Sequence, residues 1–278
     1  MIDAIVARVW PNGVESVEPL GGGITNRNFK VTAGGDAFVL RIGGNDTGLL
    51  GIDRNVEHTA SLAAASLGIG PEVVAFLEPE GYLVTRFVEG EVGRVSVDEA
   101  ATALRRLHSG TPIAGRFDSF RVIETYAEIA GRGGPEWAHE LARRIEACRA
   151  DAPLVPCHND LLAANFIHDG SSVWIVDWEY AGMGDPAFDL ANYAVNNGLD
   201  EEGDQALLAA YGNADEDAHI LMRFMSDFRE AMWGLVQQTL SELDFDFVAY
   251  TDEHFSRMER TAAEPRFQNA LTPSGGNE

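Results

Sequence analysis

The sequence predicts an α+β protein with a small antiparallel sheet of five strands carrying one helix, followed by a larger, mainly helical part. Two observations indicate this fold class. Up to about residue 88, short β-like runs alternate with glycine-containing turns around one amphipathic helical stretch. From residue 89 onward, most long segments carry apolar residues at helical spacing. We therefore predict two domains, residues 1–88 and 89–278, with a short hinge near residues 87–91.

The N-terminal elements are predicted from apolar alternation and from turn residues. Residues 1–10 have helical spacing, and a second helix is predicted over residues 53–67, where glycines and a proline follow. The β-like runs are residues 14–20, 28–32, 37–42, 72–77 and 82–88. Tight glycine turns join the first three runs, which is typical of an antiparallel meander.

The C-terminal part is predicted from helical spacing and capping signals. Ser96 and Glu99 form a capping box before an apolar run that reaches Leu107. Further helices are predicted at residues 120–130, 135–150, 185 onward, 201–211, 217–243 and 247–262, with short β-like pieces at 154–157, 165–168 and 173–176. The tail from Glu264 is rich in proline, glycine and asparagine, so we expect it to fray.

The composition limits the classes of partner. The chain has 278 residues and is 45% hydrophobic, which suffices for a sizeable core. Its 44 acidic and 20 basic residues give a net charge of −24, which repels phosphate backbones and anionic lipid. We therefore expect no nucleic-acid partner and no membrane partner. Two cysteines give no disulfide framework and the N-terminus shows no secretory pattern, so a cytoplasmic location is expected. The oligomeric state stays open.

The most informative segment places a histidine, an aspartate and an asparagine in the pattern H-x-D-x4-N. These are His158, Asp160 and Asn165, and Asp177 follows at the end of the next apolar run. Phosphoryl transfer from a nucleotide uses one carboxylate to accept or orient the hydroxyl proton, and an amide and a second carboxylate to hold Mg²⁺. The alternative is a loop in which these side chains only make turn hydrogen bonds.

Three segments resemble a known family. They are His158–Asn165 (HNDLLAAN), Ile175–Asn192 (IVDWEYAGMGDPAFDLAN) and Leu20–Val31 (LGGGITNRNFKV). They resemble the choline/ethanolamine kinases and the wider aminoglycoside phosphotransferase group, which share the two-lobed protein-kinase-like fold. DWEYAG is also similar to bacterial thiamine kinases.

The resemblance implies roles for individual residues. Asp160 would be the catalytic base, and His158 would orient the catalytic loop. Asn165 and Asp177 would hold Mg²⁺. Asp189 would be a buried carboxylate that braces the loop without reacting. For His158, an ordinary packed histidine is the alternative interpretation.

A glycine-rich turn before the second strand is predicted to cover the phosphates of ATP. Gly22 and Gly23 let backbone N–H groups approach a phosphate without interference from a Cβ atom. Thr25 and Asn26 offer further donors from their side chains. Without the strands on either side of it, such a run of glycines would indicate only a turn.

A kinase-like site also needs a cation on the third strand, paired with a carboxylate on the helix. The only lysine, Lys30, lies on the second strand, and the third strand instead carries Arg41. Arginine offers a rigid set of donors for phosphate, and Glu57 on the predicted helix is its expected partner, ahead of Asp53 and Glu72. The alternative is a surface arginine on an edge strand.

An acceptor pocket for a cation is expected from aromatic rings next to a carboxylate. Trp233 lies in MWGLVQ, which resembles the WGLWxxQ stretch of the choline kinases, although Val236 stands where the second tryptophan would be. Tyr250 is a further candidate ring, and a tryptophan on a long amphipathic helix is otherwise a core residue.

Three more residues are candidates for the acceptor pocket. Glu179 and Tyr180 follow Asp177 closely, and Glu179 points to the same side as Asp177 if the strand continues. It would shape the metal or hydroxyl site, or cap the next loop. By spacing, Asn196 stands where the family places a carboxylate that faces the quaternary nitrogen.

These observations predict an ATP- and Mg²⁺-dependent kinase that phosphorylates a hydroxyl of a small cationic amino alcohol such as choline or ethanolamine. One alternative keeps the chemistry with an aminoglycoside, another sugar or thiamine as acceptor. Another is a pseudokinase that senses a nucleotide, which the loss of Asp160, Asn165 or Asp177 would favour; all three are present.

Overall fold

The computed structural model describes residues 2–21, 26–44, 47–241 and 243–272. The chain divides into two compact units. The first unit comprises Met1–Val95 and Ala164–Tyr180, and the second unit comprises Ser96–Ala163 and Ala181–Glu278. The segment Ala164–Tyr180 thus packs with the N-terminal residues, although it lies far beyond residue 88 in the sequence.

The strands are β1 Ser16–Leu20, β2 Asn26–Ala33, β3 Asp36–Gly43, β4 Val73–Leu77, β5 Tyr82–Arg86, β6 Glu91–Val92, β7 Val155–Cys157, β8 Phe166–His168, β9 Val173–Ile175 and β10 Gly182–Gly184. The helices are α1 Ile2–Val9, α2 Arg54–Ser66, α3 Val97–His108, α4 Ser119–Ala130, α5 Glu136–Cys148, α6 Pro186–Asn196, α7 Glu201–Tyr211, α8 Glu216–Leu240, α9 Phe247–Ala263 and α10 Pro265–Ala270.

The first unit contains the predicted antiparallel sheet of five strands, in the order β1-β2-β3-β5-β4. Alternate residues of β2 and β3 face a core in which Val31 and Leu40 are fully buried. The predicted helix α2 begins after Asp53, whose side chain accepts the N–H groups of Asn55 and Val56. Helix α1 packs its apolar face on this core, whereas α2 contacts β4.

A smaller sheet completes the first unit. β6 pairs with β8, and β8 forms a hairpin with β9, so the order is β6-β8-β9. Strand β6 lies where a hinge was expected. Its two residues are too few to show the alternation that predicts a strand. A Cβ atom on Gly90, just before β6, would lie 2.5 Å from the carbonyl oxygen of His168. Glycine therefore allows this close approach of the two backbones.

The second unit is built around α8. This helix is buried almost continuously from Ala218 to Gln237, and α4, α6, α9 and α10 pack against it. α3 begins with the predicted capping box, in which Ser96 and Glu99 satisfy each other's backbone N–H groups. The short strand β10, which was not predicted, pairs with β7.

The expectation of a frayed tail was wrong for the first residues after Glu264. Pro265 begins α10, as proline commonly does at a first helical position. Phe267 on this helix is fully buried and its ring lies 5.5 Å from that of Phe224 on α8. The burial of this one aromatic ring thus stabilises a helix in a segment whose composition predicts a frayed tail. Among the residues described, no helix is both long and apolar enough to cross a bilayer.

Candidate active site

In the second unit, the loop that begins at His158 is fixed by a carboxylate on α6. The backbone N–H groups of His158 and Asn159 donate to the two oxygens of Asp189, at 2.8 and 2.6 Å. Asp189 is fully buried, and His108 Nε2 lies 3.1 Å from it. These donors compensate a carboxylate that would be costly to bury alone. Asp189 therefore braces the loop, as the family resemblance implied.

His108, Cys157 and Asp189 also place potential metal ligands within 4.8 Å of one another. Both oxygens of Asp189 already accept backbone N–H groups, and His108 Nδ1 lies 2.8 Å from the hydroxyl of Tyr211. Burial, and then the nearby charge of Asp189, raise the pKa of the Cys157 thiol well above its usual value. Since the Asp189 oxygens and His108 are already engaged in these contacts, the cluster holds the loop in place.

The second half of the loop is held by two asparagines. The N–H group of Leu161 donates to Asn192 Oδ1 at 2.6 Å, and Asn192 Nδ2 donates to Ser226 Oγ at 3.1 Å. Asn197 Nδ2 donates to the carbonyl of Leu161 at 3.1 Å. The loop residue Asn159 has a φ of +67°, a conformation that asparagine tolerates better than most residues. Fixed contacts on both sides of Asp160 thus set its position.

Asp160, the predicted base, has a side chain that is 13% exposed. Its backbone N–H donates to His158 Nδ1 at 3.3 Å, so the imidazole lies against the loop that it is predicted to orient. Asp160 Oδ1 lies 3.1 Å from Nη1 of Arg229 on α8. The sequence analysis missed Arg229, because it lies 69 residues further along the chain and belongs to no motif that we recognised.

An aromatic cluster with a carboxylate lies on α8 and α9. The hydroxyl of Tyr250 donates to Glu230 Oε2 at 2.8 Å, and the ring of Trp233 lies 5.7 Å from that of Tyr250. Phe247 and the half-exposed Phe245 add rings at 5.8 Å from Trp233 and 6.1 Å from Tyr250. The sequence analysis named Trp233 and Tyr250 but missed Glu230, one helical turn before Trp233.

The surroundings of Glu230 favour its ionised form. Burial would raise the pKa of Glu230, but the charges of Arg229 and His254 and the hydrogen bond from Tyr250 lower it below its usual value. Burial and the neighbouring Glu230 raise the pKa of Tyr250, so its hydroxyl stays protonated and donates a hydrogen bond to Glu230. The cluster therefore contains a buried carboxylate, held by Arg229 and Tyr250, beside aromatic rings.

In the first unit, the β8–β9 hairpin brings the two predicted magnesium ligands to the same end. Phe166 pairs with Ile175, and the N–H group of Val176 donates to the carbonyl of Asn165 at 2.9 Å. Asp177 follows at once with a φ of +69°, an uncommon conformation that is found at functional sites. An amide and a carboxylate are hard oxygen donors, so Asn165 and Asp177 fit Mg²⁺ chemically.

The predicted ion pair on the third strand is present. Arg41 Nη1 lies 2.8 Å from Glu57 Oε1, while Nη2 forms a close ion pair with Asp177 and lies 3.5 Å from Glu179 Oε2. Asp53 instead caps α2, and Glu72 contacts Arg86. Burial would lower the pKa of Arg41, but the charges of Asp177, Glu57 and Glu179 outweigh it and raise the pKa.

A second arginine, which the sequence analysis missed, completes this charged cluster. Arg54 Nη1 lies 2.6 Å from Glu57 Oε2 and 3.3 Å from Glu179 Oε2. Arg54 lies three residues before Glu57 on the predicted helix, and this spacing could have indicated an ion pair between them. Gly81, with a φ of +72°, makes room, because a Cβ atom there would lie 2.6 Å from Arg54 Cβ.

Asn26 and Glu179 belong to the same cluster. Asn26 is buried, donates from Nδ2 to Glu179 Oε2 at 2.8 Å and accepts from Arg54 at 2.9 Å. The premise for placing Glu179 beside Asp177 was wrong, because β9 ends at Ile175 and the strand does not continue. The two carboxylates nevertheless share Arg41.

The remaining predicted residues have varied positions. Gly22, Gly23 and Thr25 lie outside the described residues. Tyr180 is buried at the end of the first unit's second segment. Asn196 is the last residue of α6 in the second unit, and its Nδ2 is buried with no hydrogen-bond partner among the described residues.

A family model and a solved structure match most of the chain. Residues 16–228 match the family model described as "Phosphotransferase enzyme family". The chain is similar to a solved choline/ethanolamine kinase family protein from Mesorhizobium loti, with 31% identity, a TM-score of 0.82 and a match over 97% of each chain.

Curated relatives match over a shorter range. The chain is 28% identical over 215 residues to protein LicA from Haemophilus influenzae, which covers 71% of this chain and 63% of that relative's length. It is also 28% identical over 202 residues to a thiamine kinase from Escherichia coli, which covers 70% of this chain and 71% of that kinase.

Proposed function

Because the chain belongs to the phosphotransferase enzyme family, we propose that it transfers the γ-phosphoryl group of ATP to a hydroxyl of a small cationic alcohol. The products are a phosphate ester and ADP. The observation that carries this proposal is the position of Asp160, on a loop whose backbone is fixed by Asp189 and Asn192. A cytoplasmic location, where ATP is abundant, accompanies the proposal.

In the proposed reaction, Asp160 accepts the proton of the acceptor hydroxyl as the new oxygen–phosphorus bond forms and the bond to ADP breaks. Proton transfer of this kind contributes roughly 10²- to 10⁴-fold to a rate. His158 orients the loop through its contact with the Asp160 N–H. The proton then passes from Asp160 to solvent, which restores the carboxylate.

Asn165 and Asp177 are the residues proposed to hold Mg²⁺. When bound, the ion supplies positive charge for the phosphate oxygens. Arg41, kept charged and oriented by Glu57, is proposed to contact the same phosphates when Asp177 is engaged with the metal. Asn26 would keep Glu179 in place beside Arg41.

The glycine-rich segment before β2 is proposed to cover the phosphates. Gly22 and Gly23 would offer backbone N–H groups, and Thr25 a hydroxyl. These are the donors that a nucleotide phosphate needs, and they immediately precede β2, on which Asn26 lies.

The cationic class of acceptor is supported by the rings of Trp233 and Tyr250 beside Glu230. Aromatic faces next to a carboxylate favour ammonium and other organic cations. Asn196 is proposed to offer its amide to the acceptor. Glu179 and Tyr180, which follow Asp177 in the sequence, are proposed as further acceptor-binding residues.

Thiamine is a second candidate acceptor, since it combines an organic cation with a primary hydroxyl. Val236 stands where the choline kinases carry a second tryptophan, which favours a pocket that differs from theirs. The similarity to a thiamine kinase supports this candidate.

The proposal is tested by measuring ADP formation from Mg-ATP with choline, ethanolamine, thiamine, glucosamine and kanamycin as acceptors. We expect turnover with one of the cationic alcohols and none above background without an acceptor. Turnover on kanamycin or glucosamine alone would contradict the cationic alcohol and retain the chemistry. ATP binding without turnover on any acceptor would favour a nucleotide sensor.

Asp160→Asn is the matched variant for the catalytic assignment, because it keeps size and hydrogen bonding but cannot accept the proton. We expect kcat to fall by roughly 10²- to 10⁴-fold while the KM for ATP changes less than about twofold. Steady-state kinetics with the best acceptor measure both values. An unchanged kcat would remove Asp160 from the proposed role.

A further inference from the structure

Arg229 is the most deeply buried cation among the residues described, with a side chain only 2% exposed. Its Nη1 lies 3.1 Å from Asp160 Oδ1 and 2.5 Å from Glu230 Oε1. One guanidinium nitrogen thus joins the proposed base to the carboxylate of the aromatic cluster. All three residues lie in the second unit, and two of them are neighbours on α8.

A buried guanidinium has a definite electrostatic effect on its partners. Arginine stays charged under all conditions in which proteins fold, so Arg229 is a permanent cation in a place of low dielectric. Such a charge requires anionic partners nearby. Glu230 is held by Arg229 on one oxygen and by Tyr250 on the other. Asp160 is the partner whose ionisation the reaction uses.

We propose that Arg229 is a positioning residue for Asp160, which holds its carboxylate in one orientation and keeps it deprotonated for the incoming hydroxyl. This inference rests on the proposed function, because it assigns Arg229 a part in the same reaction. Glu230 modulates this effect. Its negative charge partly compensates the positive charge of Arg229 and so weakens the effect of Arg229 on Asp160.

The groups that face Asp160 in the second unit determine the sign of each effect. His158 accepts the Asp160 N–H, Arg229 contacts the carboxylate, and the charge of Glu230, with the neutral Tyr250 hydroxyl donating to it, lies behind the guanidinium. Removal of the cation raises the pKa of a neighbouring carboxyl, and removal of a like charge lowers it. Changes at positions 229 and 230 should therefore act in opposite directions.

A purely structural role of Arg229 would give a different result. In that case a substitution lowers the stability of the fold but does not change the pH at which the remaining enzyme loses its activity. The acid limb of the pH–rate profile therefore distinguishes the two roles, and Arg229→Lys, which keeps the charge, adds a test by rescue.

The experiment compares Glu230→Gln, Arg229→Lys and the double variant Arg229→Met/Glu230→Gln, which removes the buried Arg229–Glu230 ion pair as a whole. We expect the acid limb of the kcat–pH profile to shift to lower pH in Glu230→Gln than in the wild type. In the double variant we expect this limb to lie roughly one to three pH units higher than in Glu230→Gln. The double variant should also have a kcat at least about tenfold lower than Glu230→Gln, with a nearly constant KM for ATP. Arg229→Lys should stay close to the wild-type limb. Equal acid limbs in Glu230→Gln and the double variant would overturn the proposal.

A readout without turnover separates this inference from the proposed function. The carboxyl carbons of ¹³C-labelled aspartates are titrated by NMR, and Asp160→Asn assigns the Asp160 signal. An upward shift of its midpoint in the double variant relative to Glu230→Gln supports the role of Arg229, even if the wild type phosphorylates no acceptor tested. An unmoved midpoint in an enzyme that turns over would overturn the role of Arg229 and leave the proposed function intact.

Discussion

Arg41 shows how a single buried charge organises one part of the candidate site. It lies on β3, only 9% exposed, with Glu57, Asp177 and Glu179 around its guanidinium. Breaking a buried ion pair from one side is costly because the remaining charges lose their compensation. Arg54 still pairs with Glu57 and Glu179, so the loss should be partial.

We expect Arg41→Met to lower the free energy of unfolding by about 3 kcal/mol, because it leaves buried carboxylates short of a cation. Urea denaturation of the purified protein measures the change. Arg86→Met is the matched control, since Arg86 lies on the same sheet and also pairs with two carboxylates, Asp36 and Glu72, but is 41% exposed. Its loss should cost less than about 1 kcal/mol. Equal losses for the two variants would contradict the buried network.

At the scale of residues, the sequence singles out those candidate site residues that lie close to a motif. Asp160, Asn165 and Asp177 stand at fixed spacing, and Arg41 with Glu57 could be paired from the order of strand and helix. Arg54, Arg229 and Glu230 could not be assigned in this way, because their partners are brought near only by the packing of helices and strands that lie far apart in the chain.

At the scale of elements, the approach of α9 to α8 depends on one glycine. A Cβ atom on Gly234 would lie 2.4 Å from Thr251 Oγ1 and 3.1 Å from Tyr250 Cδ1. Thr251 Oγ1 is itself engaged, since it accepts from Gln238 at 2.8 Å and donates to the carbonyl of Phe247 at 2.7 Å. The close contact lies next to Trp233 and Tyr250, so it also sets the spacing of their rings.

Gly234→Ala should therefore lower the free energy of unfolding by about 2 kcal/mol, because overpacking outweighs the higher helix propensity of alanine. A double-mutant cycle with Thr251→Ala identifies the cause. In the Thr251→Ala background the same substitution should cost clearly less, since the oxygen is gone. Costs that are equal in both backgrounds would show that the contact with Thr251 is not the reason.

The elements were predicted well where local signals agree with the fold. The capping box at Ser96 marked α3, and glycine turns marked the strands of the five-stranded sheet. β6 was missed because two residues carry no usable period, and β10 was missed because two of its three residues are glycine. α10 was missed because its composition suggests a tail, whereas the burial of Phe267 against α8 is a tertiary effect.

At the scale of the whole molecule, the net charge of −24 is the dominant property. So large a charge of one sign opposes compaction, because like charges come closer together in the folded chain. Salt screens this repulsion between exposed groups, and the screening length falls to about 10 Å at about 0.1 M salt.

We therefore expect the thermal unfolding midpoint at pH 7 to rise when NaCl is increased from about 0.02 to about 0.5 M, a range over which screening becomes strong. Near the isoelectric pH of about 4.5 the same increase should have little effect, because the net charge is close to zero. Differential scanning calorimetry gives both series. A midpoint at pH 7 that is insensitive to salt would show that local ion pairs dominate over net repulsion.

The proposed transfer of a phosphoryl group from ATP to the hydroxyl of a cationic alcohol forms a phosphate monoester that can be observed directly. The most direct measurement is a ³¹P NMR spectrum of the reaction with Mg-ATP and the best acceptor, recorded together with the Asp160→Asn control. We expect one equivalent of phosphate monoester for each ADP formed, and no monoester signal from the control over the same time. ADP accompanied only by inorganic phosphate, or an ester formed equally by the control, would contradict it.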